Sequence, residues 1–372
     1  MSCRGRTFDF LCYLLAGFLA AATAATPGFA AERVVYIYNW ADYIGPRTLQ
    51  QFTAATGIRA VYDVYDSNEV LETKLATGNS GYDVVFPSMR PYAERLIKAG
   101  MLKPLDRGML ANAGNLDAAV LARMAGADPG NRHVLPYMWG STGIGMNVAK
   151  VKAALGAVAP VDSWRLLFDP AMAKKLAPCG ISILDDDEAI AAMLIHLGRN
   201  PNSARPEDLD AAVAAFLKIR PYVKYFHSSK YIEALANGDL CVSHGFSGDV
   251  IQARNRAKEA KNGNVIAYAI PREGAVVWVD TMAVPKDAPH PAEAHAFIDF
   301  LMRPQVIADI SNTIAYANAN RAATPLVDAA VRDDPGVYPS AAVRARLVSL
   351  TLLSEGERRQ RTRALTRITT GQ

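Results

Sequence analysis

The sequence lacks the motifs by which several enzyme classes are recognised. It contains no HExxH zinc motif, no Walker phosphate-binding loop and no nucleophile elbow. The stretch STGIG at 141–145 has neither the spacing nor the following helix start of a dinucleotide-binding motif. The six histidines are scattered without metal-ligand spacing, and the acidic run LDDDE at 184–188 does not follow the calcium-loop pattern. We therefore expect no cofactor and no metal site.

Charged residues are not abundant, and the net charge is small. Charged residues make up 20% of the chain and the formal net charge is +4, which argues against a dedicated nucleic-acid-binding protein. The C-terminal segment 354–372 is basic, but it lacks the interleaved aromatic residues that bind single-stranded nucleic acid. We interpret it as the solvated face of a terminal helix, with a docking or anion-binding face as the alternative. Its arginines are Arg358, Arg359, Arg361, Arg363 and Arg367.

Long apolar runs are scarce. The run at 10–22 has the length of a signal-peptide core, and no other segment is long and apolar enough to span a bilayer. Arginines precede this run and small residues follow it, so residues 1–31 are predicted to be a secretory signal peptide cleaved after Ala30 or Ala31. The leucine before Cys12 is too bulky for the usual lipoprotein cleavage site. We expect an exported protein without stable membrane insertion.

Cysteine is rare as well. The chain has four cysteines, and two of them fall within the predicted signal peptide. The mature protein would keep Cys179 and Cys241. Because disulfides form in oxidising compartments, a single pair left in an exported chain is predicted to be bonded. Two buried free thiols are the alternative.

The chain does contain a regular alternation of strand and helix patterns. Apolar strand patterns alternate with helix patterns, which predicts an α/β fold with a parallel sheet covered on both faces. A chain of 372 residues is long enough for two domains. The extended stretches 134–148 and 275–285 are predicted to be strands that cross between them. The first predicted strands are 33–40, 59–65 and 82–88, and the first predicted helices are 46–57, 66–78 (with Asp66 as a candidate cap) and 91–100.

Aromatic residues and carboxylates recur together where predicted strands end or break. These points are where open α/β sheets hold ligands. The pattern fits a short diamine, since each ammonium needs carboxylate acceptors and the methylene chain needs flat apolar walls. Aromatic rings supply such walls and also attract cations. The residues concerned are Trp40, Asp42, Tyr43, Ser88, the acids of 185–188 including Glu188, Phe246, Asp249, Trp278, Asp280 and Tyr316.

Other interpretations of the same residues stay open. An aspartate after a strand is commonly a turn former or a helix cap, and LDDDE could be a capped helix start. An exported carbohydrate-active enzyme could use Glu188 with an aspartate, because glycoside cleavage requires two carboxylates at a sugar. A carrier for ferric ion or another cationic solute is a further alternative.

Long ordered stretches of the chain resemble a known family. From about residue 32 to residue 370 the sequence resembles the periplasmic polyamine-binding proteins of ABC importers, closest to the putrescine-binding branch. That resemblance implies a two-lobed, class II binding-protein fold with the ligand in the interlobe cleft. We expect one lobe to comprise 32–138 plus 277–325 and the other 139–276 plus 326–372. The stretches that carry the resemblance include YNWADYIGP (38–46), YDVVFPS (82–88), PYMWGSTGIGMNV (136–148), YFHSSKYIEALANGDLCV (225–242) and YANANRAATPLV (316–327).

The resemblance also implies roles for individual residues. Asp280 would face one ammonium, and Glu188 and Asp249 the other. Asp42 and Ser88 would be polar neighbours, and the family disulfide matches the two mature cysteines. Aromatic walls would come from Trp40, Tyr43, Phe246, Trp278 and Tyr316, and Ala41 would lie beside the ligand.

Some positions depart from the family pattern. Ala41 replaces a residue that is commonly serine or threonine, and Phe246 replaces a common tryptophan. Trp278 and the acids beside Glu188 resemble the spermidine-binding side of the family, whereas Arg90 could repel a longer polyamine.

The resemblance implies a binding protein rather than an enzyme. We expect a monomer in the periplasm that captures putrescine, with spermidine or another diamine as the alternative ligand. It would pass the polyamine to the membrane permease of an ABC transporter.

Overall fold

One long strand, Val134–Asn147, runs through the middle of the fold. The structure is a computed structural model that describes residues 32–157 and 159–372. The predicted signal peptide, residues 1–31, lies outside the described residues. Arg33–Gln372 forms one compact unit.

Within the described residues the chain forms eleven strands and sixteen α-helices. The strands are β1 Val34–Trp40, β2 Arg59–Tyr65, β3 Val84–Val85, β4 Val134–Asn147, β5 Ile181–Ile183, β6 Tyr225–Phe226, β7 Val242–Phe246, β8 Ile266–Ala269, β9 Ala275–Ala283, β10 Ala317–Asn318 and β11 Leu347–Val348. The helices are α1 Thr48–Thr56, α2 Asn68–Ala76, α3 Glu94–Lys98, α4 Ala118–Met124, α5 Val148–Leu155, α6 Arg165–Phe168, α7 Pro170–Leu176, α8 Asp187–His196, α9 Pro206–Ile219, α10 Tyr231–Asn237, α11 Ser247–Glu259, α12 Pro291–Leu301, α13 Pro304–Ile314, α14 Ala329–Arg332, α15 Ala341–Arg344 and α16 Glu355–Thr370.

The strands form a single sheet with two parallel halves. Its order is β2-β1-β3-β9-β4-β7-β5-β6, with β8 and β10 pairing with β4 and β11 with β9. In the first half β1 is parallel to β2 and β3, and in the second half β5 is parallel to β6 and β7. The antiparallel pair β4 and β9 joins the halves. The carboxyl ends of parallel strands meet at one edge, so each half has an edge where ligand-binding side chains can gather.

Two separate hydrophobic cores show how the sheet divides into lobes. Phe52, Phe297 and the first part of β4 pack in one core, whereas Trp164, Phe216 and the last part of β4 pack in another. Strand β4 therefore belongs to both lobes, and it is buried along nearly its whole length. The fold is the two-lobed α/β arrangement that the sequence predicts.

Most predicted elements are confirmed, and some details are wrong. Strand β2 has the predicted bounds, and both crossing strands exist as β4 and β9. The cap of α2 is not Asp66 but Ser67, whose hydroxyl accepts the N–H of Val70 at 3.3 Å. The helix predicted for 91–100 begins as an irregular turn, Met89–Ala93, and becomes α-helical only over α3.

The basic C-terminal segment forms α16, as predicted. Most of its arginines face solvent. Arg361 is the exception, because its side chain is only 2% exposed. The prediction of a uniformly solvated face was therefore wrong at this position, which packs toward α8.

Cys179 and Cys241 are bonded, as predicted, and their Cα atoms lie 5.4 Å apart. The bond ties the residues before β5 to the start of β7. Among the described residues, no helix has the length and apolar character needed to cross a membrane.

Candidate functional site

The two carboxyl edges of the sheet enclose a cleft with about 770 Å³ of empty volume, part of it open to solvent. Of the eleven residues predicted for the site, ten line this cleft. They are Trp40, Ala41, Tyr43, Ser88, Glu188, Phe246, Asp249, Trp278, Asp280 and Tyr316. The parallel halves explain this convergence. In one half Trp40 ends β1 and Ser88 follows β3. In the other half Phe246 ends β7, Asp249 follows it, and Glu188 follows β5.

Asp280 lies on β9 and is 4% exposed. Its carboxylate accepts a hydrogen bond from Ser88 Oγ at 2.6 Å and another from Tyr43 Oη at 2.9 Å. Ser88 is itself held by Asn68, which accepts the Ser88 N–H at 3.0 Å. Each oxygen of Asp280 therefore has a fixed hydroxyl donor.

The second carboxylate of the cleft is Asp249, in the first turn of α11. Its oxygens accept hydrogen bonds from Tyr316 Oη and Tyr231 Oη, both at 2.7 Å. The hydroxyl of Tyr316 also accepts the Asp249 N–H at 3.1 Å. Asp249 is thus held in place by hydroxyls, as Asp280 is.

Glu188 occupies the first turn of α8. Its carboxylate pairs with the hydroxyl of Thr142 on β4. That hydroxyl also accepts a hydrogen bond from Trp278 Nε1 at 3.2 Å. The neighbouring Asp186 caps α8 by accepting the Glu188 N–H at 2.9 Å, so the acidic run is a capped helix start as well as part of the cleft.

Aromatic rings form the walls between these acids. Phe246 stands edge-on to Trp278 with ring centroids 5.8 Å apart, and Trp278 contacts Tyr316 at 5.4 Å. On the other side Trp40 packs beside Tyr65 at 4.9 Å and donates its indole N–H to the Phe86 carbonyl at 2.8 Å. Trp40, Phe246 and Trp278 are partly exposed and offer flat apolar surfaces, whereas Tyr65 and Tyr316 are buried behind them.

Two glycines allow these rings to lie against the backbone. A Cβ at Gly140 would come within 2.8 Å of the Trp278 ring. A Cβ at Gly248 would come within 2.4 Å of the Tyr316 ring. Either side chain would displace a wall of the cleft.

Burial disfavours the charged form of the cleft carboxylates. Burial raises the pKa of Asp280 to about 7, although the hydrogen bonds from Ser88 and Tyr43 offset part of the rise. Burial likewise raises the pKa of Asp249 to about 6, again with hydroxyl donors acting in the opposite direction. Near neutral pH these groups are therefore partly protonated when nothing fills the cleft.

The pKa of Glu188 is raised further than those of Asp280 and Asp249. Burial raises its pKa to about 8, the hydrogen bond from Thr142 opposes the rise, and the nearby charge of Asp280 adds to it. Burial and the charge of Glu188 raise the pKa of Asp186 well above its usual range. Among the described residues, no lysine, arginine or histidine lies within ion-pair distance of Asp280, Asp249 or Glu188. A bound cation would therefore favour the charged form of these carboxylates and lower their pKa values.

Asp42 is the predicted residue that does not line the cleft. It follows β1 in the left-handed region, with φ of 54°, and its side chain is 49% exposed. Its carboxylate forms an ion pair with Arg256 of α11 at 3.2 Å.

Several lining residues were missed by the sequence analysis. Tyr65 ends β2, and Ser228 follows β6, so the strand-end rule that found the other residues could have found both. Arg90 was noted as unusual, and among the described residues it is the one cationic side chain of the lining. The remaining missed lining residues are Asp66, Ser67, Asn68, Glu69, Tyr92, Ser229, Ile232 and Leu350, whereas Asp186 and Asp187 belong to the acidic run that the sequence analysis named.

The cleft can therefore hold a cation by hydrogen-bonded carboxylates and an apolar chain by aromatic walls. Within residues 32–157 and 159–372, no group of three or more histidine, cysteine, aspartate or glutamate side chains is arranged to hold a metal ion.

Comparison with known proteins adds four findings. The family of bacterial extracellular solute-binding proteins matches residues 47–339. The chain is 50% identical to the putrescine-binding periplasmic protein SpuD of Pseudomonas aeruginosa (strain UCBPP-PA14), covering 96% of this chain and 98% of that protein. It is also 50% identical to the putrescine-binding periplasmic protein PotF of Escherichia coli (strain K12), covering 96% and 97%. Among solved structures, the spermidine/putrescine ABC transporter substrate-binding protein PotD of Streptococcus pneumoniae superposes with a TM-score of 0.72 at 26% identity, covering 91% of this chain and 99% of that one.

Proposed function

The chain belongs to the family of bacterial extracellular solute-binding proteins, and from that premise we propose that it captures a diamine, putrescine first, for an ABC importer. SpuD and PotF are putrescine-binding periplasmic proteins and PotD is an ABC transporter substrate-binding protein, so this chain is a binding protein and not an enzyme. The alternative of an enzyme that cleaves glycosides with Glu188 is thereby set aside.

One observation carries the choice of a diamine. Three carboxylates, Asp280, Asp249 and Glu188, converge on an aromatic-walled cleft in which the described residues supply none of them with an ion-pair partner. A buried carboxylate keeps its charge at low cost only beside a cation, and the rings favour a short methylene chain between two cations. A neutral sugar would not satisfy these acids.

We assign the two ammonium groups to opposite sides of the aromatic box. One ammonium would meet Asp280, whose orientation is fixed by Ser88 and Tyr43. The other would meet Glu188 and Asp249. The rings of Trp40, Phe246, Trp278 and Tyr316 would enclose the methylene groups and attract the cations.

The lining also bears on ligand length. Arg90 would repel a third positive charge, which favours diamines over spermidine. The extra acids Asp186 and Glu69 act in the opposite direction, because they could accept a third ammonium. We therefore propose putrescine as the preferred ligand and spermidine as a weaker one.

The cellular setting follows from the same premise. We propose that a signal peptide is cleaved after Ala30 or Ala31 and that the mature protein acts in the periplasm as a monomer. Its partner would be the membrane permease of an ABC importer. The lobes would close around the ligand about the crossing strands β4 and β9.

Isothermal titration calorimetry of the purified mature protein tests the proposed function. Putrescine, cadaverine, agmatine, spermidine and spermine are titrated separately at one pH and salt concentration. We expect all measurable binding to be one-to-one, with putrescine tighter than spermidine. Native mass spectrometry of the untreated protein should reveal a co-purified diamine. A bound metal ion, or the absence of binding to every polyamine, would overturn the proposal.

A further inference from the structure

Arg361 is a buried arginine to which the proposed diamine site gives no role. It lies in the middle of α16, and its side chain is 2% exposed. A buried guanidinium is unfavourable unless its donors are paired. Its partners therefore indicate what this residue does.

The Arg361 guanidinium contacts the first turn of α8 and the loop before α9. Nε donates to Asp187 Oδ1 at 2.6 Å, and Nη2 donates to the Asp187 backbone carbonyl at 3.2 Å. Nη1 donates to the carbonyl oxygens of Pro201 at 2.8 Å and Ser203 at 3.0 Å. Asp187 is thus held by both its side chain and its backbone.

Asp187 lies between two carboxylates of the cleft. Asp186 precedes it and caps α8, and Glu188 follows it and pairs with Thr142. A cation beside a helix N-terminus is disfavoured by the helix dipole. The stability of α8 alone therefore does not account for Arg361 at this place, whereas the pairing with Asp187 does.

We infer that Arg361 is a positioning residue for the ligand site: it fixes the first turn of α8 and supplies a counter-charge to Asp187, which lines the cleft. This inference rests on the proposed function, in which Glu188 meets an ammonium. The C-terminal helix therefore sets both the place and the number of negative charges at this end of the cleft.

The charges around Glu188 make the inference measurable. Removing Arg361 leaves Asp187 uncompensated, which raises the pKa of Glu188 further. Removing the Asp187 charge instead leaves Arg361 as an unopposed cation, which lowers the pKa of Glu188. The titratable and charged groups that face Glu188 and its neighbours are Asp185, Asp186 and Asp187 around the start of α8, Glu69 on α2, Tyr92 in the turn Met89–Ala93, Tyr231 on α10, Tyr268 on β8, Asp280 on β9 and Arg361 on α16.

The test uses the mature protein with Arg361→Met, Asp187→Asn and the double variant. Carbon-13 NMR follows the titration of the Glu188 carboxyl without ligand, and calorimetry measures putrescine affinity at pH 7. We expect Arg361→Met to move the titration to higher pH and to weaken binding by about tenfold or more. Asp187→Asn should move the titration to lower pH, and the double variant should return it close to wild type.

The matched control is Arg367→Met. Arg367 lies on the same helix and pairs with Asp210 at 3.0 Å, but both side chains are more than half exposed. It should change neither the titration nor the affinity. If Arg361→Met does not fold, Arg361→Lys replaces it and should leave the titration near wild type, because the charge is kept.

The outcomes separate the inference from the proposed function. A Glu188 titration that stays in place in both Asp187→Asn and Arg361→Met, with affinity within twofold of wild type, would overturn the role of Arg361. If Arg361→Met does not fold, an unmoved titration in Asp187→Asn overturns it. A wild-type protein that binds no diamine would instead contradict the proposed function, and the NMR titration would still decide the role of Arg361.

Discussion

The two ends of the cleft balance their negative charge in different ways. At one end Asp280 receives two hydroxyl hydrogen bonds, from Ser88 and Tyr43, and the described residues offer it no cation. At the other end the acidic run before α8 has one of its carboxylates, Asp187, neutralised by Arg361. Hydroxyl donors stabilise a carboxylate without cancelling its charge.

This difference indicates how much each end depends on a ligand. Asp280 has a counter-charge only when a cationic ligand binds. The acidic run that contains Glu188 already has one protein cation beside it, Arg361. We therefore expect the loss of charge to weaken binding more at Asp280 than at Glu188.

The largest predicted effect is that of Asp280→Asn. The substitution keeps the shape of the side chain and leaves the ammonium without a counter-charge. The loss of one partner of a buried charged pair costs about 2 to 5 kcal/mol, or roughly thirtyfold to several-thousandfold in putrescine affinity. Calorimetry measures the affinity, and circular dichroism checks the fold.

The matched control for that experiment is Asp42→Asn. Asp42 lies outside the cleft lining and forms a half-exposed ion pair with Arg256. Its loss should weaken binding by no more than about fivefold. A similar loss in both variants would mean that Asp280 is not the specific anchor.

Glu188→Gln should have the next largest effect. Loss of a hydrogen bond to a charged group costs about 1.5 to 3 kcal/mol, which corresponds to roughly tenfold to a hundredfold in affinity. The same calorimetric titration checks it. If Glu188→Gln weakens binding more than Asp280→Asn does, the comparison between the two ends is wrong.

The stability of the ligand-free protein should depend on pH through the same groups. The pKa of Asp280 is about 7 when folded, against an ordinary value of about 4 in an unfolded chain. Its contribution to stability is therefore fully present below about pH 4 and is lost as the pH rises through 7.

The expected loss from Asp280 is on the order of 2 to 4 kcal/mol between pH 4 and pH 8. Urea unfolding at several pH values measures it, with Asp280→Asn as the comparison. Equal slopes in the variant and the wild type would show that Asp280 does not contribute.

The smallest predicted effect concerns Arg90, which lies in the cleft lining and is 3.8 Å from Glu94. Arg90→Ser removes a like charge from the path of a third ammonium. Spermidine affinity should improve relative to putrescine by roughly two- to fivefold at low salt and by less at high salt.

Arg95→Ser is the matched control for Arg90. Arg95 pairs with Glu72 and does not line the cleft. The spermidine-to-putrescine ratio should stay unchanged in this variant. If this ratio changed equally in both variants, the effect would come from the general surface charge and not from the position of Arg90 in the cleft.

Much of the fold could be predicted because the strand patterns are strong. The β2 bounds and the two crossing strands follow directly from apolar runs bounded by turn residues. Shorter features were less predictable. The hydroxyl of Ser67 competes with Asp66 for the cap of α2, and pattern alone does not decide between neighbouring capping residues.

The site was predictable where residues follow strands and not where they depend on tertiary packing. Trp40 and Ser88 were predicted from strand ends, and both line the cleft. Asp42 also follows a strand but does not line the cleft, because its backbone is in the left-handed region and its side chain pairs with Arg256. Arg361 was missed for a similar reason. It resembles the other arginines of its helix in sequence, and only the packing of α16 on α8 buries it.

The most direct test of the account is the number of protons released when putrescine binds at pH 7. Calorimetry in two buffers of different ionisation enthalpy gives this number. Since the pKa values of Asp280 and Glu188 are about 7 and about 8 in the empty cleft, we predict release of about one proton or more per ligand. Affinity should rise between pH 5 and pH 8. Binding without proton release and with pH-independent affinity would contradict the claim that the ligand's ammonium groups balance the charge of these carboxylates.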